Sequence, residues 1–137
     1  MQNRSYLMQP DNPRDLHILV VDDDPVILHY LKIMLAKKQY KATFLSTTDK
    51  NVVTSVGPDI ILMDVWLGNE DGKEVCRSIK QNPATSSIPL IMMSSSRDAA
   101  KKCIEAGADD FILKPFDIET LLQQITSLVL RSRVIGN

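Results

Sequence analysis

Two short apolar runs of this chain end in carboxylates. Asp22 and Asp23 follow the run at 17–21, and Asp64 follows the run at 59–63. Carboxylates that lie close together repel one another, and a hard divalent cation such as Mg²⁺ relieves that repulsion because it prefers oxygen ligands. If the two runs form neighbouring strands, their ends therefore predict a cation site.

Two further apolar runs end in groups that can hold a phosphoryl oxygen. Ser94 follows the run at 89–93, and Lys114 follows the run at 111–113. A lysine ammonium pairs with carboxylates and binds phosphoryl oxygens as a point charge, and a hydroxyl can donate to the same oxygens. Together with the carboxylates, these groups indicate phosphoryl chemistry that depends on a divalent cation.

Each of these signals has an ordinary structural explanation when it stands alone. Asp24, directly before Pro25, is suited to cap a helix, and Asp22 and Asp23 could serve the same turn. An aspartate after the third strand could simply begin a loop, and a lysine or serine at a strand end is commonly solvated. Only the fold decides whether these groups meet at one site.

The spacing of apolar residues predicts alternating strands and helices. Short buried runs separated by helical patterns are typical of parallel strands in α/β proteins. The segment between the third strand and the third helix is predicted as a loop. We predict strands at about 16–22, 40–46, 59–63, 89–94 and 110–113, and helices at about 25–38, 49–56, 72–81, 98–106 and 117–132.

The expected fold is an α/β, (βα)5 doubly wound three-layer sandwich of the flavodoxin-like kind. Its five-stranded parallel sheet has the predicted order 2-1-3-4-5, with right-handed crossovers and helices on both faces. Ligands in such sheets bind beyond the carboxyl ends of the strands, where the strand order reverses. That point lies between strands 1 and 3, which end at Asp22 and Asp64. Topology and acidic residues therefore predict the same crevice.

The length and patterning of the chain favour a single folded domain. Its 137 residues are 44% apolar and 24% charged, which is ordinary for a globular protein. The polar start of the chain has no periodicity and contains prolines at 10 and 13. We predict a flexible N-terminal extension at 1–15, the domain itself at 16–133 and a C-terminal tail at 134–137.

Charge, hydropathy and cysteine usage predict a cytoplasmic protein. The net charge of −1 gives no electrostatic reason to expect nucleic acid binding or a membrane surface as partner. No apolar run approaches the ~20 residues that span a membrane, and no signal-peptide pattern occurs. Cys76 and Cys103 lie in predicted helices and suit a reducing compartment as buried or half-buried thiols.

Five segments together resemble the receiver domain of two-component response regulators, over about residues 16–132. Each segment is a weak signal alone, but their order at the ends of four strands is specific. The resemblance is carried by Ile-Leu-Val-Val-Asp22-Asp23-Asp24, Pro-Asp-Ile-Ile-Leu-Met-Asp64, Asp71-Gly72, Ile88-Pro89-Leu-Ile-Met-Met-Ser94-Ser95 and Ala106-Gly107-Ala108-Asp109-Asp110-Phe111-Ile-Leu-Lys114-Pro115-Phe116.

The resemblance implies a role for each acidic position. Asp64 would be the phosphoacceptor, receiving a phosphoryl group from a histidine kinase or phosphotransfer protein. Asp22, Asp23 and Asp64 would bind Mg²⁺, and the backbone carbonyl of Trp66 would complete the protein's ligands. Such a domain is not an enzyme in the ordinary sense, but a phosphoacceptor with self-catalysed phosphotransfer and autodephosphorylation.

The resemblance also implies a switch. Lys114 would contact the phosphoryl group, Ser94 would be the switch hydroxyl, and Phe111 would be the switch aromatic. These residues would change the face formed by helix 4, strand 5 and helix 5. The peptide bond from Lys114 to Pro115 would be cis, as X-Pro bonds permit.

The chain departs from the family pattern in the loop after the phosphoacceptor. Leu67-Gly68 stands where a Met-Pro pair is usual, which predicts a more flexible loop with its liganding carbonyl still available. Trp66 is a bulky aromatic two residues after Asp64. We hypothesise that Trp66 shields the acyl phosphate from water and prolongs the phosphorylated state.

Three other functions are alternatives to a phosphorylated switch. A degenerate receiver would act as a phosphorylation-independent protein-binding module, although every expected chemical position is filled. An Asp-nucleophile hydrolase usually has a second acid where this chain has Trp66. A dinucleotide-binding domain is disfavoured because no GxGxxG follows the first strand.

The sequence leaves the output of the domain open. It is compatible with a single-domain regulator acting on a downstream protein, and with a piece of a longer regulator with an output domain. The cognate kinase and the lifetime of the phosphorylated state are equally open. A homodimer through helices 4 and 5 is expected only by analogy.

Overall fold

The computed structural model describes residues 16–135. The predicted N-terminal extension at 1–15 lies outside the described residues. Five strands form the main sheet, namely β1 (His17–Val21), β2 (Lys41–Leu45), β3 (Ile60–Asp64), β4 (Leu90–Ser94) and β5 (Asp110–Leu113). Five helices alternate with them, namely α1 (Pro25–Lys37), α2 (Lys50–Val56), α3 (Gly72–Gln81), α4 (Ala99–Glu105) and α5 (Ile118–Ile135).

All strands of the main sheet run parallel, in the order β2-β1-β3-β4-β5. The predicted (βα)5 fold and its strand order are therefore confirmed. The order reverses at β1, so the carboxyl ends of β1 and β3 border one crevice.

Helices cover both faces of the sheet, and alternate residues of each strand therefore point into two separate apolar cores. The first core includes Ile18 and Val20 of β1 and packs against α1 and α5. The second includes Leu19 and Val21 and packs against α2, α3 and α4. Because both faces are buried, the central strands are nearly continuous apolar runs, as the sequence shows.

Helix caps fix how the chain leaves the strands near the crevice. The side chain of Asp24 accepts a hydrogen bond of 2.9 Å from the backbone N–H of Val26, and Pro25 occupies the first position of α1. Asp71 caps α3 in the same way through the N–H of Lys73. Of the acids after β1, Asp24 is therefore the one that caps the helix.

The segment predicted as a loop after β3 is instead a short antiparallel hairpin, here called the 66–71 hairpin. Trp66–Leu67 pairs with Glu70–Asp71, and Gly68 adopts a φ of +64° at the turn. Leu67 is 4% exposed and joins the second core. A Gly-led two-residue turn between such residues is a hairpin signal, so this element was open to prediction.

The last helix is longer than predicted. It begins at Ile118 and ends at Ile135, against the expected 117–132. Near its end, Arg133 lies 3.7 Å from Asp59, the residue before β3. Over residues 16–135, none of the helices combines the length and apolar character that a membrane span requires.

Candidate functional site

Three strands deliver charged side chains to one point at the carboxyl edge of the sheet. Asp22 follows β1, Asp64 ends β3 and Lys114 follows β5. The Lys114 ammonium donates to Asp22 Oδ2 and to Asp64 Oδ1, at 2.8 Å each. We call Asp22, Asp23, Asp64 and Lys114 the carboxyl-edge cluster.

Asp22 is the most enclosed member of the carboxyl-edge cluster. Its side chain is fully buried, and its second oxygen accepts the backbone N–H of Asp24 at 2.9 Å. Burial raises the pKa of the Asp22 carboxyl, and repulsion from Asp64 adds to that rise. The hydrogen bonds from Lys114 and Asp24 lower the pKa but are outweighed. Ionisation of Asp22 therefore costs more than ionisation of a free aspartate, and a further cation would lower that cost.

Lys114 stays charged in spite of its burial. Burial alone would lower its pKa, but hydrogen bonds to Asp22 and Asp64 outweigh burial and raise the pKa above the ordinary value. Its backbone N–H donates to the carbonyl of Ser94 at 2.8 Å, which ties the lysine to the end of β4. The Lys114–Pro115 peptide bond is cis, as the family resemblance implied.

The donor set of the cluster fits a hard divalent cation. One oxygen each from Asp22, Asp23 and Asp64 lie within 4.8 Å of one another, and Lys114 is a single cation against these three carboxylates. Asp23 is exposed, so one side of the cluster is open to solvent. Trp66 stands beside the set, since its backbone N–H donates to Asp64 Oδ2 at 3.2 Å.

Comparison with known proteins decides what kind of domain carries this cluster. The family model described as the response regulator receiver domain matches residues 18–126. The chain belongs to the response regulator receiver domain family. The resemblance found in the sequence is thereby confirmed.

Known proteins are similar to this receiver in sequence and in fold. RpaA of Synechocystis sp., a DNA-binding dual master transcriptional regulator, is 32% identical over 119 residues, which are 84% of this chain and 49% of RpaA. A Chloroflexus aurantiacus J-10-fl crystal structure described as a response regulator has a TM-score of 0.76 at 26% identity, covering 85% of this chain and 98% of its own.

A third neighbour is the receiver domain of the sensor histidine kinase PA1611 from Pseudomonas aeruginosa PAO1, whose crystal structure has a magnesium ion coordinated in the active site cleft. It has a TM-score of 0.71 at 26% identity and covers 83% of this chain and 97% of its own. The receiver described here spans about half the length of the curated relatives it matches.

Ser94 and Phe111 lie on β4 and β5, the two strands that come after β3 in the order of the sheet. Ser94 ends β4, one residue beyond Met93, which is paired with Asp64. Its Oγ accepts the backbone N–H of Ser96 at 3.0 Å. Phe111 on β5 pairs with Met92 and is half-buried against the second core. Ser94 is therefore one strand away from Asp64, and Phe111 is two strands away.

Gly72 is a positioning residue of this site to which the sequence analysis gave no role of its own. A Cβ at Gly72 would overlap the backbone oxygen of Asp64 and lie 2.8 Å from that of Val65. Any side chain there would force the start of α3 away from the end of β3. The Asp71-Gly72 pair was the available signal, but the contact itself depends on the fold.

A second lysine and aspartate meet at the opposite, amino edge of the sheet. Lys80 of α3 donates to Asp109 Oδ2 and to the carbonyl of Ile88, at 2.9 Å each. The same Asp109 oxygen accepts the N–H of Leu90 at 2.8 Å. We call Lys80 and Asp109 the amino-edge pair; its one cation and one carboxylate balance.

Proposed function

We propose that this receiver accepts a phosphoryl group on Asp64 from a histidine kinase or phosphotransfer protein, and that the reaction needs Mg²⁺. The observation that carries the proposal is Lys114, which bridges Asp22 and Asp64 in a cluster where carboxylates outnumber cations. Such a site has a nucleophile, a fixed cation and a shortage of positive charge.

Asp64 is suited to be the nucleophile. Its carboxylate is only partly covered, with 16% of the side chain exposed, whereas Asp22 is fully buried. An oxygen of Asp64 forms the new bond to phosphorus as the bond from phosphorus to the donor's histidine nitrogen breaks, and the imidazole leaves. No general base is needed, because a carboxylate carries no proton to remove.

Lys114 and Ser94 hold the transferred group. The lysine ammonium already contacts Asp64, so it can remain beside the phosphoryl oxygens after transfer and neutralise part of their charge. The Ser94 hydroxyl ends the neighbouring strand and is suited to donate to one of those oxygens.

The proposed magnesium ligands are the oxygens of Asp22, Asp23 and Asp64 and the backbone carbonyl of Trp66. When bound, the ion neutralises charge on the transferring oxygens. The three carboxylates lie close enough together to serve as ligands of one ion. The magnesium in the neighbouring PA1611 receiver domain supports this assignment.

Phosphorylation is proposed to change the face formed by α4, β5 and α5. A dianionic group on Asp64 draws Ser94 towards it, and the carbonyl of Ser94 is bonded to the N–H of Lys114 after β5. Phe111 lies half-buried on β5, and its exposure can change when the end of β5 moves.

The proposed partners are a histidine kinase or phosphotransfer protein upstream, and a downstream protein or an output domain beyond these residues. The function is that of a phosphoacceptor rather than an enzyme. A cytoplasmic location is proposed because Cys76 and Cys103 are both buried free thiols, which suit a reducing compartment. Homodimerisation through α4 and α5 stays a hypothesis.

Intact mass after incubation with acetyl phosphate and Mg²⁺ tests the proposal. We expect a gain of about 80 Da, the mass of one phosphoryl group, that is lost in Asp64→Asn and when EDTA removes the metal. Asp23→Asn should keep the phosphoacceptor but need more Mg²⁺. No gain with acetyl phosphate or with a phosphohistidine donor would favour the phosphorylation-independent binding module.

A further inference from the structure

A lysine at the start of α3 bridges the two strands of the 66–71 hairpin. Lys73 Nζ lies 3.0 Å from Asp71 Oδ1 and 5.1 Å from the centre of the Trp66 ring. Trp66 and Asp71 are paired across the hairpin, so the ammonium contacts both strands. A cation is attracted to an aromatic face as well as to a carboxylate.

The position of Lys73 is unfavourable for a cation within its own helix. Lys73 is the second residue of α3, at the positive end of the helix macrodipole, where acids such as Glu74 are preferred. Yet only 18% of its side chain is exposed. A covered cation at a helix start needs compensating partners, which Trp66 and Asp71 supply. Such a conflict between local preference and observed position indicates a role at a functional site.

The Lys73 contacts act on the backbone beside the phosphoacceptor. The N–H of Trp66 donates to Asp64 at 3.2 Å, and the N–H of Gly72 donates to the carbonyl of Val65 at 2.6 Å. Lys73 directly follows Gly72, so backbone and side-chain contacts close the base of the hairpin together. If Trp66 moves, its backbone therefore shifts in position relative to the Asp64 carboxylate.

We propose that Lys73 is a positioning residue that holds Trp66 in place and thereby strengthens Mg²⁺ binding at the carboxyl-edge cluster. The inference rests on the proposed function, since it takes the Trp66 carbonyl as a magnesium ligand. We call the contacts of Lys73 with Trp66 and Asp71 the clamp. When the clamp is intact, the Trp66 carbonyl is already ordered before the metal binds. When the clamp is lost, metal binding must also order the hairpin, and this cost weakens the binding. We expect loss of the clamp to weaken Mg²⁺ binding about two- to fivefold.

The sign of this effect separates positioning from simple electrostatics. Removing a positive charge near carboxylates leaves the site more negative, so a purely electrostatic role for Lys73 predicts tighter Mg²⁺ binding in Lys73→Met. Positioning predicts weaker binding. Lys73→Arg keeps the charge and can still stack on Trp66, so it should bind Mg²⁺ nearly as the unchanged protein does.

Arg77→Met is the matched control. Arg77 lies one turn further along α3 and carries the same charge. Its hydrogen bonds join it to Glu74 at 3.5 Å and to the Glu105 carbonyl at 3.4 Å, and neither residue belongs to the hairpin. Two measurements on each variant test the inference. Acrylamide quenching reports the accessibility of Trp66, the one tryptophan of the chain, in metal-free protein. Titration calorimetry reports the affinity for Mg²⁺, and thermal unfolding followed by circular dichroism verifies folding.

The expected result is faster quenching and weaker Mg²⁺ binding in Lys73→Met, with Lys73→Arg and Arg77→Met close to the unchanged protein. Unchanged quenching in Lys73→Met would overturn the clamp. Faster quenching with equal or tighter Mg²⁺ binding would overturn its positioning role. Failure of the unchanged protein to bind Mg²⁺ would instead overturn the metal site of the proposed function, and the quenching data would still judge the clamp.

Discussion

The receiver has a lysine–aspartate contact at each edge of its sheet, and the two differ in their charge balance. At the amino edge, Lys80 meets one carboxylate and one backbone carbonyl, so every strong charge has its partner. At the carboxyl edge, Lys114 is shared by two carboxylates, with Asp23 close by. The same pair of residue types thus forms a charge-balanced structural contact at one edge and part of a site with excess negative charge at the other.

The difference teaches that excess charge, rather than the presence of an ion pair, distinguishes a site from a structural contact. The amino-edge pair joins α3 to the starts of β4 and β5, since Asp109 also accepts the N–H of Leu90. The carboxyl-edge cluster is stabilised by any group that supplies positive charge, and this makes its stability depend on what it binds.

Removal of the lysine at the carboxyl edge should have the largest effect. We expect Lys114→Met to slow phosphorylation by acetyl phosphate about 100-fold, because the transferring oxygens lose a preorganised cation. In EDTA the variant should also be less stable, since Asp22 and Asp64 then face each other, and added Mg²⁺ should restore much of that loss. Time courses of intact mass and urea unfolding with and without Mg²⁺ provide the measurements. An unchanged rate would show that Lys114 is structural only.

Removal of the lysine at the amino edge should affect stability alone. Lys80→Met keeps most of the stem that packs over Gly107 but loses the ion pair and the bond to the Ile88 carbonyl. We expect a loss of about 1–2 kcal/mol in the free energy of unfolding, with no rescue by Mg²⁺ and an unchanged phosphorylation rate. If Lys80→Met slowed phosphorylation as much as Lys114→Met, the two edges would not differ as described.

Neutralising one aspartate at each edge should change stability in opposite directions. In EDTA at pH 8, Asp22→Asn should raise the free energy of unfolding by up to about 1 kcal/mol, and Asp109→Asn should lower it by a similar amount. The sign follows from the raised pKa of Asp22: its folded-state pKa exceeds the unfolded value, so stability is lost as the pH rises through the folded pKa.

The gain of Asp22→Asn should accordingly shrink as the pH falls towards the folded-state pKa of Asp22, because the carboxyl of the unchanged protein then takes up a proton. Urea unfolding from pH 4 to pH 8 measures both variants side by side. A loss of stability in Asp22→Asn at pH 8 would mean that the Lys114 contact outweighs the burial of the carboxylate.

The smallest expected effect concerns the open side of the carboxyl-edge cluster. Trp66 is 58% exposed, so its ring can exclude water from the acyl phosphate only in part. We expect Trp66→Asn to speed dephosphorylation about two- to threefold, which corresponds to a decrease of less than ~1 kcal/mol in the activation free energy. Trp66→Phe, which keeps an aromatic ring, is the control. Loss of phosphate from the purified phosphorylated protein is followed by mass, and an unchanged lifetime in Trp66→Asn would refute shielding.

The convergence of Asp22, Asp64 and Lys114 could be predicted because it follows from topology. Parallel strands bring their carboxyl ends to one edge, so residues that follow β1, β3 and β5 must share that edge once the strand order is known. Apolar runs and helix signals supplied the alternation of strands and helices, and the common flavodoxin-like topology supplied the order. The prediction thus needed no knowledge of side-chain contacts.

Contacts between elements far apart in sequence could not be predicted in the same way. Lys80 and Asp109 are 29 residues apart, and neither stands at a position whose neighbour the strand order dictates. The tight approach of Gly72 to Asp64 and the placement of Lys73 over Trp66 depend on the hairpin, whose signal was interpreted as a loop. Two-residue strands have too little periodicity to be recognised by their apolar pattern, so the glycine at the turn was the one signal for the hairpin.

The two apolar cores are completed by different stretches of the chain, and this orders events during synthesis. All buried members of the second core lie before residue 109, whereas the first core needs Leu121, Ile125 and Leu128 of α5. A nascent chain leaving the ribosome can thus cover one face of its sheet well before the other. Until α5 emerges, only α1 covers the first core, and chaperone binding should concentrate in that interval.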